Sequence, residues 1–426
     1  MTAPALVADV AVVGGGPAGA AAAITLARAG RDVVLVDKAR FPRDKCCGDG
    51  LTTGALRLLG ALGLRAGAVE SWHPVEDVHL CSPSGREIVF PLPRRNGEAF
   101  GAVARRADLD TALVDVARDA GVRVHDGHAL VGARCEDDRV VVDVDGIGEV
   151  HARYAVGADG MWSPLRKLVL AALMPEYRHE RAQNLYLGEW HAFRQYFAGV
   201  DTSAGKARQL WVWFEPDLLP GYAWAFPLPG GRANVGFGVP RRAGEPTHTM
   251  RDQWQAILRR SHIRDVLGPW ATPEAPHKAW PIPADAAGLR DGATLTAWDG
   301  RVLFVGDAAR AADPMTGEGI GQALETGVLA ANAIVAAGHA RPQHAKAAYE
   351  RVVATRLAKD NAIAAALSRA LTDPRVARAS IRLAGSTDWT RRNFARWLFE
   401  DYPRAVLNPR RARSARRAAG RARAHR

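Results

Sequence analysis

At 426 residues the chain is long enough for two closely packed domains, and a hydrophobic content of 48% supports a large core without disulfides. Four cysteines, Cys46, Cys47, Cys81 and Cys135, are too few and scattered for a secreted scaffold and lack zinc-ligand spacing, which points to a reducing, cytoplasmic setting. The net charge of +12 is largely a tail effect: residues 408–426 carry eight arginines and no acid, and without them 12 − 8 = +4 remains.

The first expected element is a short buried strand over residues 8–13. A glycine turn, an alanine-rich helix over 17–29 ended by Gly30, and a strand over 32–36 complete a βαβ unit. Residues 10–27 contain no charge, but Gly14, Gly15, Gly16, Pro17 and Gly19 interrupt them and no basic segment precedes them. They therefore read as neither a membrane span nor a signal peptide, and no other stretch reads as long and apolar enough to cross a bilayer. A helix is expected over 52–62, a hairpin over 75–92 around Ser82-Pro83-Ser84-Gly85, and a helix over 108–120 stopped by Gly121. Three valine-rich strands should fill 122–158, and residues 183–240 read as β-rich and aromatic-rich. A short strand over 301–305, a helix over 319–337 and a helical region over 341–407, broken at Pro374 and Pro403, follow.

Gly14-x-Gly16-x-x-Gly19 lies between a strand and a helix. The first glycine permits a tight turn, the second lets the backbone approach a pyrophosphate, and the third lets helix and sheet pack closely. The helix N-terminus offers N–H groups and positive dipole to phosphate. Asp37, followed by Lys38, ends the second strand where a carboxylate would accept from ribose hydroxyls. This combination reads as a dinucleotide site. Further on, Leu303-Phe304-Val305-Gly306-Asp307 has the form of a strand delivering a carboxylate beside a cofactor, and residues 314–321 open a helix whose N–H groups could face a partly negative ring.

Alternation over residues 221–227 puts Tyr222, Trp224 and Phe226 on one strand face and Gly221, Ala223 and Ala225 on the other. The aromatic face suits a cavity wall; an ordinary core strand packed on a helix is the alternative.

Taken together, the motifs resemble the flavoprotein hydroxylase superfamily. Gly157-Ala158-Asp159-Gly160, with Ser163 and Arg166, is similar to its Asp-Gly motif, and Arg106 with Leu109-Asp110 to its flavin-phosphate arginine. The resemblance implies bound FAD, with Asp37 on the adenosine ribose, Arg106 near the pyrophosphate and Asp307 on the ribityl chain. Lys38, Gly48, Asp159, Pro314, Gly317, Gly319 and Ile320 are further implied cofactor contacts. It implies an α/β, p-hydroxybenzoate hydroxylase-like fold. A Rossmann-type FAD domain (1–74, 99–180 and 290–340) would interleave with a mixed-sheet substrate domain (75–98 and 181–289). A helical region (341–407) and the arginine-rich tail (408–426) would follow.

A finer resemblance is to the geranylgeranyl reductase family. Lys45-Cys46-Cys47-Gly48 is similar to its Lys-x-Cys-Gly loop, with Cys46 where relatives often have proline. Leu219-Pro220-Gly221-Tyr222-x-Trp224-x-Phe226-Pro227 matches its aromatic signature, continued by Asn234-Val235-Gly236-Phe237-Gly238. Flavin halogenases share the region but carry Trp-x-Trp-x-Ile-Pro, whereas Trp211-x-Trp213 here is followed by Phe214-Glu215. The resemblance implies a reductase that saturates isolated C=C bonds of a prenyl or terpenoid chain by hydride transfer and proton delivery. Tyr222, Trp224 and Phe226 would line the substrate, and Tyr222 and Trp224 would stabilise positive charge. Cys47 would be a proton donor or gate, with a packing role as the alternative, and Asp49 is a second candidate donor. NADPH or another reductant, such as a ferredoxin-like protein, would dock transiently. The other reading is an FAD-dependent monooxygenase hydroxylating or epoxidising an apolar natural product. The tail reads either as simply solvated or as attracted to anionic lipid at the inner face of the membrane. Without interleaved aromatics it does not favour nucleic acid.

Overall fold

The computed structural model describes residues 5–92, 100–173, 188–241, 249–292, 294–339, 341–391 and 394. Two large sheets dominate them. In the first, the strands Val302–Phe304, Gly148–Gly157, Leu6–Val13, Val33–Asp37 and Arg123–Asp126 run parallel in that order. Leu6–Val13 is buried on both faces over its C-terminal half, as a central parallel strand must be. Thr296–Ala297 adds an antiparallel edge, and Val140–Val144 and Leu130–Cys135 extend antiparallel from the long strand Gly148–Gly157.

Residues 122–158 thus hold four strands where the valine pattern suggests three. Gly127, at φ +87°, breaks one run in two. Arg123–Asp126 joins the parallel sheet, while Leu130–Cys135 pairs with Val140–Val144.

The alanines of Pro17–Arg28 let a second helix, Ile320–Ala337, lie almost against its backbone. A Cβ added at Gly327 would stand 2.2 Å from the Ala18 carbonyl oxygen. Ile320–Ala337 also corrects an expectation. Its 18 residues are long and apolar enough to cross a membrane by length and composition, and 72% of it is buried inside the protein. The helix Pro342–Val353 joins the same core through Ala345, Tyr349 and Val353, so the sequence boundary at 340/341 does not separate two cores.

In the second sheet the order is Thr272–Pro273, Trp190–Ala198, Arg232–Pro240, Tyr222–Leu228, Gln209–Trp213, Asp77–Cys81 and Glu87–Pro91, with Lys278–Ile282 also on Trp190–Ala198. Only the Gln209–Trp213/Asp77–Cys81 pair is parallel. One face carries Ala223, Ala225, Val235 and Phe237 against Trp254 and Ile257 of the helix Thr249–Leu258. The opposite face presents Tyr222, Trp224 and Phe226 to a cavity. Both readings of the aromatic strand therefore hold, one for each face.

A small sheet of Gly50–Leu51, Gly101–Val103 and His73–Val75 lies beside the site. The helices Lys359–Ala370 and Pro374–Ala384 follow, and the described residues run on to 391 and 394. Pro374 is the first residue of its helix, and Asp373 caps it by accepting from the Arg375 N–H at 2.7 Å. Pro403 and the arginine-rich tail lie outside the described residues.

Candidate active site

The glycine turn is built by exclusion of side chains. Gly14 sits at φ +105°, and a Cβ there would lie 2.3 Å from the Ala158 carbonyl oxygen. A Cβ at Gly19 would meet the Gly14 oxygen at 1.8 Å, so Gly19 sets helix packing and does not line the cavity. Gly16 is different: it lies open, with the nearest atoms the guanidinium nitrogens of Arg43 (3.4 Å) and Arg106 (3.8 Å) from its absent Cβ. It also caps Pro17–Arg28 without a side-chain bond.

Arg106 is buried and donates through Nε and Nη2 to Asp110, both at 2.7 Å. Arg43 reaches Asp110 at 3.2 Å and Asp37 at 3.6 Å. Asp37 accepts from the Gly15 N–H (2.7 Å) and the Ala39 N–H (2.9 Å), with exposed Lys38 beside it on the cavity. A glycine floor, a helix N-terminus and two guanidinium groups are the donor set a pyrophosphate needs, so these residues fit the FAD expectation.

Across the cavity, Asp307 follows the strand Val302–Phe304 and pairs with Lys45 at 2.5 Å. A Cβ at Gly319, the N-cap of Ile320–Ala337, would be 3.9 Å from Asp307 Oδ1. Asp313 shapes the loop before it, accepting from the N–H groups of Met315 (2.9 Å) and Thr316 (2.7 Å). Gly317, Gly319 and Ile320 line the cavity, while Pro314 is buried behind them and does not. Asp159 lines the cavity, but both its oxygens are engaged, by the Ser163 hydroxyl (2.6 Å) and the Leu165 N–H (2.8 Å). It organises the start of the helix Pro164–Leu173. Arg166 lies over Phe304 and donates to the Thr294 and Ala308 carbonyls, tying this motif to the Asp307 turn.

On the aromatic wall, the Tyr222 hydroxyl donates to the Thr316 carbonyl, joining that strand to the loop at Asp313. Trp224 lies opposite Gly236 in register, and a Cβ there would stand 2.4 Å from its ring. Its indole N–H donates to Asn234 Oδ1 at 3.0 Å. The loop over 47–50 passes over Trp224 and Phe226, with a Cβ at Gly48 or Gly50 coming 3.4 or 3.2 Å from Phe226.

Sequence reasoning underweighted the polar group beneath that loop. Asn234 Nδ2 donates to the Cys47 carbonyl and to Asp49 Oδ2, each at 2.8 Å, and the Tyr196 hydroxyl donates to the same Asp49 oxygen at 2.6 Å. Asp49 is fully buried, and its Oδ1 has no partner among the described residues. Burial raises its pKa from 3.8 to about 6, although Tyr196, Arg194, Asn234 and Arg106 pull the other way. Burial, then the Asp49 charge, pushes the Cys47 thiol up, against Arg106. Arg43, which stands beside Gly16, Asp37 and Asp110, was likewise missed. The one available signal for Asn234 was Gly-x-Gly at 236 and 238 in a paired strand, which implies bulky side chains lying across it.

Cys47, Tyr222, Trp224 and Phe226 share one cavity with the glycine turn, Asp307 and Gly317. Its volume of about 1370 Å³ exceeds the 300–1,000 Å³ usual for a single small-molecule site, leaving room for cofactor and substrate together.

The fold and this donor set define an FAD-dependent oxidoreductase. A family model described as an FAD binding domain matches residues 7–204. The menaquinone reductase of Mycobacterium tuberculosis is 33% identical over 393 residues, covering 86% of this chain and 85% of that protein. Digeranylgeranylglycerophospholipid reductase 1 of Methanopyrus kandleri is 31% identical over 343 residues, covering 77% and 80%. Among solved structures, a geranylgeranyl bacteriochlorophyll reductase-like protein from Thermoplasma acidophilum superposes with a TM-score of 0.73 at 21% identity, covering 95% of this chain and 98% of that one. The chain belongs to the geranylgeranyl reductase family of FAD-dependent oxidoreductases.

Proposed function

We propose that the protein saturates isolated C=C bonds in the prenyl chain of a lipid, with a quinone or glycerolipid head group. The observation that carries this reading is the lining of the cavity and its size. It runs from the glycine turn, past Cys47 and Trp224, to Leu367 and Ile381 on the last helices, and suits a long apolar chain lying beside the cofactor. The names of the menaquinone and digeranylgeranylglycerophospholipid reductases support it.

Reduced FAD, held by the glycine turn, Arg106 and Asp307, would supply a hydride to one alkene carbon. Tyr222, Trp224 and Phe226 hold the chain and keep water out. The ring faces offer negative quadrupole to charge developing on the second carbon. Cys47 holds a proton there, because burial and the neighbouring Asp49 keep its thiol neutral. Tyr222, through its bond to Thr316, fixes this wall to the loop that faces Asp307. NADPH docking transiently at the surface is the proposed source of electrons, and the setting is cytoplasmic, at the inner face of the membrane.

The test is anaerobic incubation of the chemically reduced holoenzyme with a prenylquinone and with a geranylgeranyl glycerolipid, read by mass spectrometry. Products should be heavier by two hydrogen atoms per bond. No gain on either head group, or a gain of one oxygen atom in a parallel aerobic incubation, would overturn the reading.

A further inference from the structure

Four large apolar side chains that the fold leaves exposed also line the active-site cavity: Leu367 (37% exposed), Val376 (39%), Leu383 (67%) and Trp389 (63%). The cavity therefore opens among them, through a rim that is itself apolar. A cluster of this kind at a cavity mouth differs from single apolar residues scattered over a surface.

The helix Pro374–Ala384 beside this mouth has three faces. Ala377, Ile381 and Ala384 are buried, and Ile381 and Ala384 pack into the core that contains Ile88 and Phe90. Val376, Ser380 and Leu383 turn toward the cavity. Arg375, Arg378 and Arg382, spaced i, i+3 and i+7, form the third face, which is exposed. No described carboxylate forms an ion pair with any of the three. Asp373 is engaged in capping the helix, and Asp388 is opposed by Arg391. One buried face thus fixes the helix, and its outer surface sets an apolar row beside a basic row. That pairing suits a plane that is hydrocarbon on one side and anionic at its edge.

We propose that this mouth docks on an anionic lipid bilayer. Helix Pro374–Ala384 lies in the headgroup layer, Val376 and Leu383 dip toward the acyl chains, and the three arginines face lipid phosphates. A prenyl lipid then enters the cavity sideways from the bilayer. This deepens the prenyl-lipid reading, on which its purpose rests, but binding can be measured without turnover. It places the contact on a folded helix, separate from the arginines of residues 408–426.

The test is sedimentation of the holoenzyme with vesicles of mixed phosphatidylglycerol and phosphatidylcholine, against vesicles of phosphatidylcholine alone. Binding is expected for the anionic vesicles. Arg375→Glu/Arg378→Glu/Arg382→Glu should weaken it by about 100-fold or more. Val376→Ser/Leu383→Ser should also weaken it, by about 10-fold or more. Circular dichroism and flavin content should match the parent, and the arginine variant should keep turnover on detergent-dispersed substrate. A chain lacking residues 408–426 should retain most of its binding. Undiminished binding by both variants, or complete loss on deleting 408–426 alone, would overturn the proposal. Vesicle binding without reduction of any prenyl lipid would instead sink the functional reading and leave this surface standing.

Discussion

The backbone N–H of Asp49 donates to Sγ of Cys47 across 3.3 Å. Asp49 makes this bond at φ +64°, a left-handed conformation that aspartate tolerates better than most residues. The turn brings the Asp49 carboxyl under the loop, where Tyr196 and Asn234 hold it, and leaves the Cys47 thiol on the cavity. A sulfur that accepts an N–H in a buried site is positioned to carry a proton outward.

Cys47→Ser should lower turnover on a prenyl substrate by about 100-fold, the scale of a lost general acid. Flavin content should not change. Single-turnover reoxidation of the reduced enzyme by substrate would measure the effect, and parental rates would reduce Cys47 to a packing residue.

Asp49→Asn should flatten one segment of the pH–stability profile. Between pH 3.8 and about 6, the folded protein keeps a proton on Asp49 that the unfolded chain has released. Stability from this group is complete below 3.8 and lost as pH rises through about 6. At about 1.4 kcal/mol per pH unit, the parent should lose about 3 kcal/mol relative to the variant across that window. Urea unfolding of both proteins at about pH 4 and about pH 7 tests it. Parallel profiles would show that Asp49 titrates normally.

Asn234→Leu removes the partner of the Trp224 indole, of the Cys47 carbonyl and of one Asp49 oxygen. Leaving the Trp224 indole and the Cys47 carbonyl unpaired, with Tyr196 alone on that Asp49 oxygen, should cost about 3 kcal/mol of stability. Denaturant midpoints give the stability, and turnover should fall with it because Trp224 loses its anchor. A fully active, equally stable variant would contradict the role.

Asp307→Ala should weaken flavin retention by about 10-fold to 100-fold, through loss of a charge-assisted hydrogen bond. It also leaves Lys45 without its carboxylate. Flavin absorbance after exhaustive dialysis reports this, and an undiminished spectrum would count against Asp307 as a cofactor ligand.

What was legible in the sequence follows from how local each signal is. The glycine turn, the helix Pro17–Arg28 and Asp37 lie within one short βαβ unit, and their periodicity and spacing state their roles. The alternation of Tyr222, Trp224 and Phe226 likewise fixed their common face. The Asp49 group was not legible, since its members are 147 and 185 residues apart in the chain and meet only when the second sheet closes over the loop. Arg43 gave no periodic signal. The length and apolar composition of Ile320–Ala337 were legible and overlooked; its burial was not, because only packing separates a core helix from a span.

The Asn234 side chain serves three neighbours at once, so residues 47, 49, 224 and 234 are coupled parts of a single amide's hydrogen bonding. Substitutions among them should be strongly non-additive. Changing Trp224 or Asn234 alone leaves a buried partner of this bonding unsatisfied. Reshaping this site for a different chain, by selection or by engineering, requires paired changes that re-satisfy the amide in the same step.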